Sequence, residues 1–150
     1  MEHSENPRPE SRFTGADDGP LASSFRGDSA DLIKGMRNGT PANVVPALAR
    51  RFGMSQDALF DVLRLPRSTL KARIVKNALL SAAEQDRLYR ADRVWVRAME
   101  VLEDESAVRA WLMLKNRSLG GEAPLALLDT QVGYDLVLDT LGRIEYGVVA

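Results

Sequence analysis

Between residues 88 and 102 the apolar side chains Leu88, Ala91, Trp95, Ala98 and Leu102 recur at steps of three and four. That period lines one face of an α-helix and fits no strand, so a long amphipathic helix has to form here and bury its stripe. Ser81 and Glu84 stand at capping-box spacing and mark its start. A seam this short suits an intramolecular core better than a coiled coil, which makes the helix the expected spine of an all-α protein. On another face Arg90, Arg93 and Arg97 repeat at the same spacing. A solvated or intrachain-paired face explains them more simply than contacts to a partner.

Ahead of the spine, residues 1–28 hold Pro7, Pro9, Gly15, Gly19, Pro20 and Gly27 among Ser, Asp and Glu, with only Phe13, Leu21 and Phe25 to bury. The composition predicts a disordered or loosely attached tail. Asp28 or Ser29 can cap a short helix through Leu32, Ile33 and Met36 that stops at Gly39. Such a helix would cover the core or join a dimer interface. A further helix starts or kinks at Pro46, runs through Leu48, Ala49 and Phe52, and ends at Gly53. Ser55 caps the next one, with Met54 and Leu59 as a hydrophobic staple and Leu59, Val62 and Leu63 as its buried stripe.

A third helix follows the turn Arg64-Leu65-Pro66. Leu70 and Ile74 lie one turn apart and face inward, which leaves Arg67, Ser68 and Lys71 outward with Arg73 and Lys76 flanking. Two helices joined by a short turn, the second basic and exposed, describe a helix-turn-helix. Its candidate DNA contacts are Arg64, Arg67, Ser68, Thr69, Lys71, Arg73 and Lys76. A competing register, with residues 56–63 as the reading helix, would expose Asp57 and Asp61 to phosphate; the later helix has five cations and no acid between Arg64 and Lys76. Three packed helices with a solvated basic face remain an alternative.

Charge is balanced overall and uneven along the chain. Residues 61–97 hold nine basic and four acidic side chains, residues 98–150 four and nine, as expected of a chain with two different partners, although the two regions could also neutralise each other. Absence of cysteine excludes disulfides and thiolate chemistry, and the single histidine, His3, lies in the polar tail, so no histidine base or metal cluster exists. No catalytic residue, metal or cofactor is expected. No apolar run is long enough for a membrane span and the N-terminus has no secretory pattern, so the cytoplasm is the expected compartment.

After the spine, Asp104 caps a helix carrying Val108, Trp111 and Leu112, and Gly120-Gly121 breaks it into a turn. As a phosphate loop this glycine pair is a weak signal, lacking the longer glycine and lysine pattern. Pro124 suits a first helical position, Leu125, Leu127 and Leu128 give one apolar turn, and Asp129 or Thr130 can cap a last helix. Val137, Leu141 and Ile144, with Leu136 alongside, predict its buried face, and Gly147 its end.

The run Trp111-Leu112, Asn116, Leu119-Gly120-Gly121, Pro124-Leu125, Leu128, Thr130, Gly133, Val137, Leu141, Arg143-Ile144 and Tyr146-Gly147 resembles the C-terminal signature of the MbcA/ParS/Xre antitoxin family. The resemblance reaches back to about residue 45. Lys115 departs from it, where the family often has proline, and so does the ending Val148-Val149-Ala150, which lacks an aromatic or serine. The resemblance implies an antitoxin that neutralises a co-expressed toxin, usually an NAD-consuming RES-domain enzyme, and represses its own operon through operator DNA. It implies a toxin-binding set of Leu119, Gly120, Gly121, Arg143, Ile144, Glu145, Tyr146, Gly147, Val148, Val149 and Ala150. The expected organisation is then a tail over 1–28, a helical region with the helix-turn-helix over 29–80, and the long helix plus toxin-binding region over 81–150. A homodimer or a larger toxin-antitoxin assembly is expected, because one short helix-turn-helix contacts few bases. The other reading is a stand-alone helix-turn-helix regulator whose C-terminal region dimerises.

Overall fold

The computed structural model describes residues 19–147. Eight α-helices make up the described chain: α1 (Gly19–Phe25), α2 (Ser29–Asn38), α3 (Val44–Phe52), α4 (Gln56–Val62), α5 (Arg67–Lys76), α6 (Ala82–Leu102), α7 (Glu105–Met113) and α8 (Gln131–Glu145). Two 3-10 turns, Arg117–Leu119 and Pro124–Leu127, lie between α7 and α8, and no strand occurs among the described residues. The protein is all-α, as its periodicity predicts.

Local rules set most of the boundaries. Ser81 accepts from the Glu84 amide while the Glu84 carboxylate accepts from the Ser81 amide, completing the capping box. Asp28, Ser55, Asp104 and Thr130 each accept from the backbone three residues on, at 2.8, 3.1, 2.8 and 3.0 Å. Gly53 ends α3 in the left-handed conformation that its missing Cβ makes cheap. Pro46 sits in the first turn of α3, where its missing N–H costs no helical hydrogen bond.

α6 is the spine. Leu88, Ala91, Val94, Trp95, Ala98 and Met99 are buried along it, and α1, α3, α7 and α8 pack around it. Phe52 of α3 meets Trp95 edge-on at 5.5 Å. The Arg109 guanidinium of α7 lies 5.5 Å from the Trp95 ring centre and its Nε donates to the Arg51 carbonyl at 2.8 Å, tying α7 to α3. The three spine arginines are used within the chain: Arg93 stands 6.0 Å over Tyr89, and Arg90 and Arg97 hold α8 as described below.

Two expectations need correction. Residues 19–28 are not a loose tail. Leu21 and Phe25 of α1 are 1% and 0% exposed, Phe25 meets Tyr89 edge-on at 5.6 Å, and Arg26 forms a two-point ion pair with the fully buried Asp92 of α6. Two large apolar side chains one turn apart, together with a partner for a buried carboxylate, dock a helix of seven residues that composition alone disfavours. The rest of the expected tail, with His3 and Phe13, lies outside the described residues.

On α8 the buried face is Gly133, Val137, Thr140 and Leu141, whereas Leu136 and Ile144 are 39% and 40% exposed. A seam stepping from Val137 to Leu141 rotates away from both. No residue of α2 is buried, so this helix lies on the outside of the fold.

Candidate functional site

The two regions singled out in the sequence sit at different parts of the fold. The first is α5. The Leu65 amide donates to the Phe60 carbonyl at 2.8 Å to close the turn after α4, and Arg64 takes a left-handed backbone at φ 53°. Leu70 anchors α5 in the core with Ile74 half-buried. Arg67, Ser68, Thr69, Lys71 and Lys76 are exposed together on the outer side. Arg67 Nη2 donates to Asp61 at 2.6 Å and Lys71 lies 3.1 Å from Asp57, so the two acids of α4 already neutralise part of the basic surface.

The other two candidates on this region have different surroundings. Arg73 is half-buried and ion-paired with Glu84, the residue that completes the cap of α6, so it fastens α5 to the spine. Arg64 directs its Nε to Asp129 at 3.5 Å, and its carbonyl accepts from Arg87 at 2.5 Å. Arg73 is better placed to hold the helix than to read bases, whereas the Arg64 side chain is 76% exposed.

The second region runs from residue 116 to the end. Asn116 accepts from the Ser118 amide with its side chain and from Gly121 with its carbonyl, and its own amide donates to Glu122, which folds the glycine pair into a closed turn. Gly120 and Gly121 both adopt positive φ, 69° and 83°, which is why glycine stands there. They are exposed, but Leu119 is 3% exposed and belongs to the core, so it can only position this turn for a partner.

α8 is pinned at both ends by the spine. Arg90 donates from Nε to the Leu128 carbonyl at 2.9 Å and from Nη2 to the Asp129 carbonyl at 3.1 Å, holding the turn that launches the helix. Arg97 binds Glu145 at the far end. Gly133 lets the first turn of α8 press on the preceding turn, since a Cβ there would lie 1.9 Å from the Leu127 carbonyl oxygen. At Gly142, near the end of the helix, a Cβ would meet nothing within 4 Å.

Of the predicted toxin contacts at this end, Arg143, Ile144, Glu145, Tyr146 and Gly147 are exposed, and Val148, Val149 and Ala150 lie outside the described residues. Tyr146 is 79% exposed and does not fold back on the core. α8 ends at Glu145, Tyr146 caps it, and Gly147 follows at φ 69°. Sequence reasoning missed Val132, 79% exposed, and misplaced Leu136: with Arg143 and Tyr146 they recur at four, seven and three along the outer face of α8. Their spacing, offset from the Val137–Leu141 seam, was the available signal.

Two known domain families match the chain. Residues 31–91 match the antitoxin Xre-like helix-turn-helix domain, and residues 97–147 match the antitoxin Xre/MbcA/ParS C-terminal toxin-binding domain. The chain is 26% identical over 136 residues to a Prs ADP-ribosylating antitoxin of Sphingobium sp., covering 84% of this chain and 85% of that one. It is 31% identical over 83 residues to an antitoxin Xre of Pseudomonas putida, 55% of this chain and 52% of that one, and 24% identical over 118 residues to an antitoxin Xre of Yersinia enterocolitica, 78% and 80%. With a helix-turn-helix domain in its middle and a toxin-binding domain at its C-terminal end, the chain belongs to the Xre/MbcA/ParS antitoxin family.

Proposed function

We propose that this antitoxin neutralises a RES-domain, NAD-consuming toxin by laying the end of α8 and the residues after it into the toxin's active-site cleft. The observation that carries the reading is the exposure of Tyr146 at the end of a helix whose start and finish are both fixed by spine arginines. A rigid base with an exposed tip can enter a concave site and exclude substrate with little further ordering. Arg143, exposed and in no ion pair among the described residues, supplies a cation there. Glu145 is already held by Arg97, so its part is to fix the direction of the tail. NAD as the toxin's substrate is in keeping with the name of the Sphingobium relative, since ADP-ribosylation draws its ADP-ribose from NAD. The antitoxin itself needs no catalytic group for this role.

Operator binding falls in this proposal to Arg64, Arg67, Ser68, Thr69, Lys71 and Lys76, in two copies of the chain and in the cytoplasm. Co-expression with the product of the adjacent reading frame is the test. Co-purification of the two proteins, with cellular NAD preserved only when both are made, is expected. A neighbour that neither co-purifies nor lowers NAD on its own would leave the stand-alone regulator as the better reading.

A further inference from the structure

α3, α6 and α7 line a half-open cleft of about 380 Å³ formed by Ala47, Arg50, Arg51, Trp95, Glu105 and Arg109. Neither the toxin-binding end nor α5 contributes a lining residue. Three guanidiniums and one carboxylate face the same space, an excess of positive charge that simple packing does not require.

The arrangement of those guanidiniums is specific. Arg51 and Arg109 both lie over the Trp95 indole, at 5.7 and 5.5 Å from its centre. Stacking occupies the face of each planar group and leaves bonding to its edge; the edge of Arg51 is turned to partners within the chain, Asp92 among them. Arg109 spends Nε on the Arg51 carbonyl and Nη2 on Glu105, which leaves Nη1. Arg51 is largely buried, its side chain 13% exposed, with Nη1 3.4 Å from Asp92. Arg50, one residue earlier on α3, is exposed and forms no ion pair among the described residues. The Arg50 guanidinium and the open Nη1 of Arg109, on a cleft at the small end of the usual ligand range, suit a compact, multiply charged oxyanion.

We infer that this cleft is a phosphate-binding site, built from residues other than those of α5 and the toxin-binding end, that takes a phosphate or diphosphate group. Ala47, Arg50 and Arg51 belong to the helix-turn-helix match and Glu105 and Arg109 to the toxin-binding match, so an anion here clamps the two domains together. The group can come from a free phosphorylated metabolite or from the backbone of bound DNA; the chemistry of recognition is the same.

The probe is inorganic pyrophosphate, titrated into the full-length chain at constant ionic strength against sodium chloride, with tryptophan fluorescence and melting temperature as readouts. Saturable binding is expected, weakened at least tenfold by Arg50→Ala, which removes an exposed side chain and leaves the fold intact, and by Arg109→Lys, which keeps the charge but loses the fork. If the natural source is DNA, pyrophosphate competes with operator and Arg50→Ala lowers the salt dependence of operator binding. If it is a free metabolite, operator binding keeps its salt dependence in that variant while pyrophosphate binding is lost. Pyrophosphate that acts no differently from chloride, or binds Arg50→Ala and Arg109→Lys as well as the parent, overturns the inference. Neither result bears on toxin neutralisation, which is read separately.

Discussion

Arg97 in the spine and Glu145 in the last turn of α8 form a two-point ion pair, Nη1 and Nη2 donating to the two carboxylate oxygens at 2.7 and 3.0 Å. The hydrogen bond from Arg97 holds the Glu145 carboxyl below the usual carboxylate range against a smaller opposing effect of burial. A carboxylate with a lowered folded pKa contributes stability that is fully present above its unfolded value, about 4.3, and is lost as pH falls through the folded value. Both side chains are about a third exposed, so the effect is local to the helix end. The Tyr146 and Gly147 amides, which donate to Gly142 and Ile144, should lose hydrogen-exchange protection in acid. In Glu145→Gln the protection should be low and flat with pH; wild-type protection that is also flat would remove the pair as the fastener of this end.

Removing Phe25 tests whether α1 belongs to the core. Phe25→Ala deletes a fully buried ring and its edge contact with Tyr89, at a cost of about 3–5 kcal/mol. Ser23→Ala, on the exposed side of the same helix, should fall within about 0.5 kcal/mol of the parent. Urea unfolding of both variants decides it. An unchanged midpoint for Phe25→Ala would return α1 to the status of a loose tail.

Where the sequence was legible, the reason was local. Ser55, Ser81, Asp104 and Thr130 cap their helices because a short polar side chain reaches its own chain three residues on, and the Leu88–Leu102 spacing needs only a 3.6-residue period. α1 was not legible because its partners, Tyr89 and Asp92, are more than sixty residues away. The roles within the basic helix were hidden for the same reason: Arg73 looks like Lys71 until Glu84 is seen beside it. The exposed stripe of α8 was readable only in part, since Leu136 and Ile144 fit the apolar period almost as well as Val137 and Leu141.

The two glycines of α8 should respond in opposite ways. Gly133→Ala places a methyl group into the Leu127 carbonyl and must shift the helix start, so a loss of several kcal/mol, or failure to fold, is expected. Gly142→Ala meets open space inside a helix and should stabilise the protein by up to about 1 kcal/mol. The interest of Gly142 is then in the complex. If the toxin approaches the backbone there, the alanine variant is more stable and binds toxin less tightly; unchanged affinity in a titration with purified toxin would place the contact elsewhere on α8.

Within α5, Arg67 and Lys71 are ion-paired with Asp61 and Asp57 in the free protein, so DNA phosphate has to compete with those acids. Replacing both cations with alanine should weaken operator binding and reduce the slope of log K against log salt by up to about one per lost phosphate contact. Arg73→Ala should act differently: it orphans the half of Glu84 that faces α5 and lowers stability, while the salt slope changes little. Equal slopes for the parent and the Arg67/Lys71 variant would mean that another surface reads the operator.

Deleting Tyr146–Ala150 separates toxin binding from everything else the chain does. Tyr146 and Gly147 are exposed, and their backbone hydrogen bonds only close the last turn of α8, which Arg97 and Glu145 still hold. The truncated protein should therefore keep its helical content and its affinity for operator. What it lacks is the segment proposed to fill the toxin's cleft, so growth of cells expressing the toxin should no longer be rescued. Rescue by a folded truncated protein would transfer inhibition to the outer face of α8, where Val132, Leu136 and Arg143 remain. The two outcomes call for different inhibitory mechanisms: a plug excludes substrate directly, whereas a face that grips the toxin without reaching its active site would have to distort the cleft.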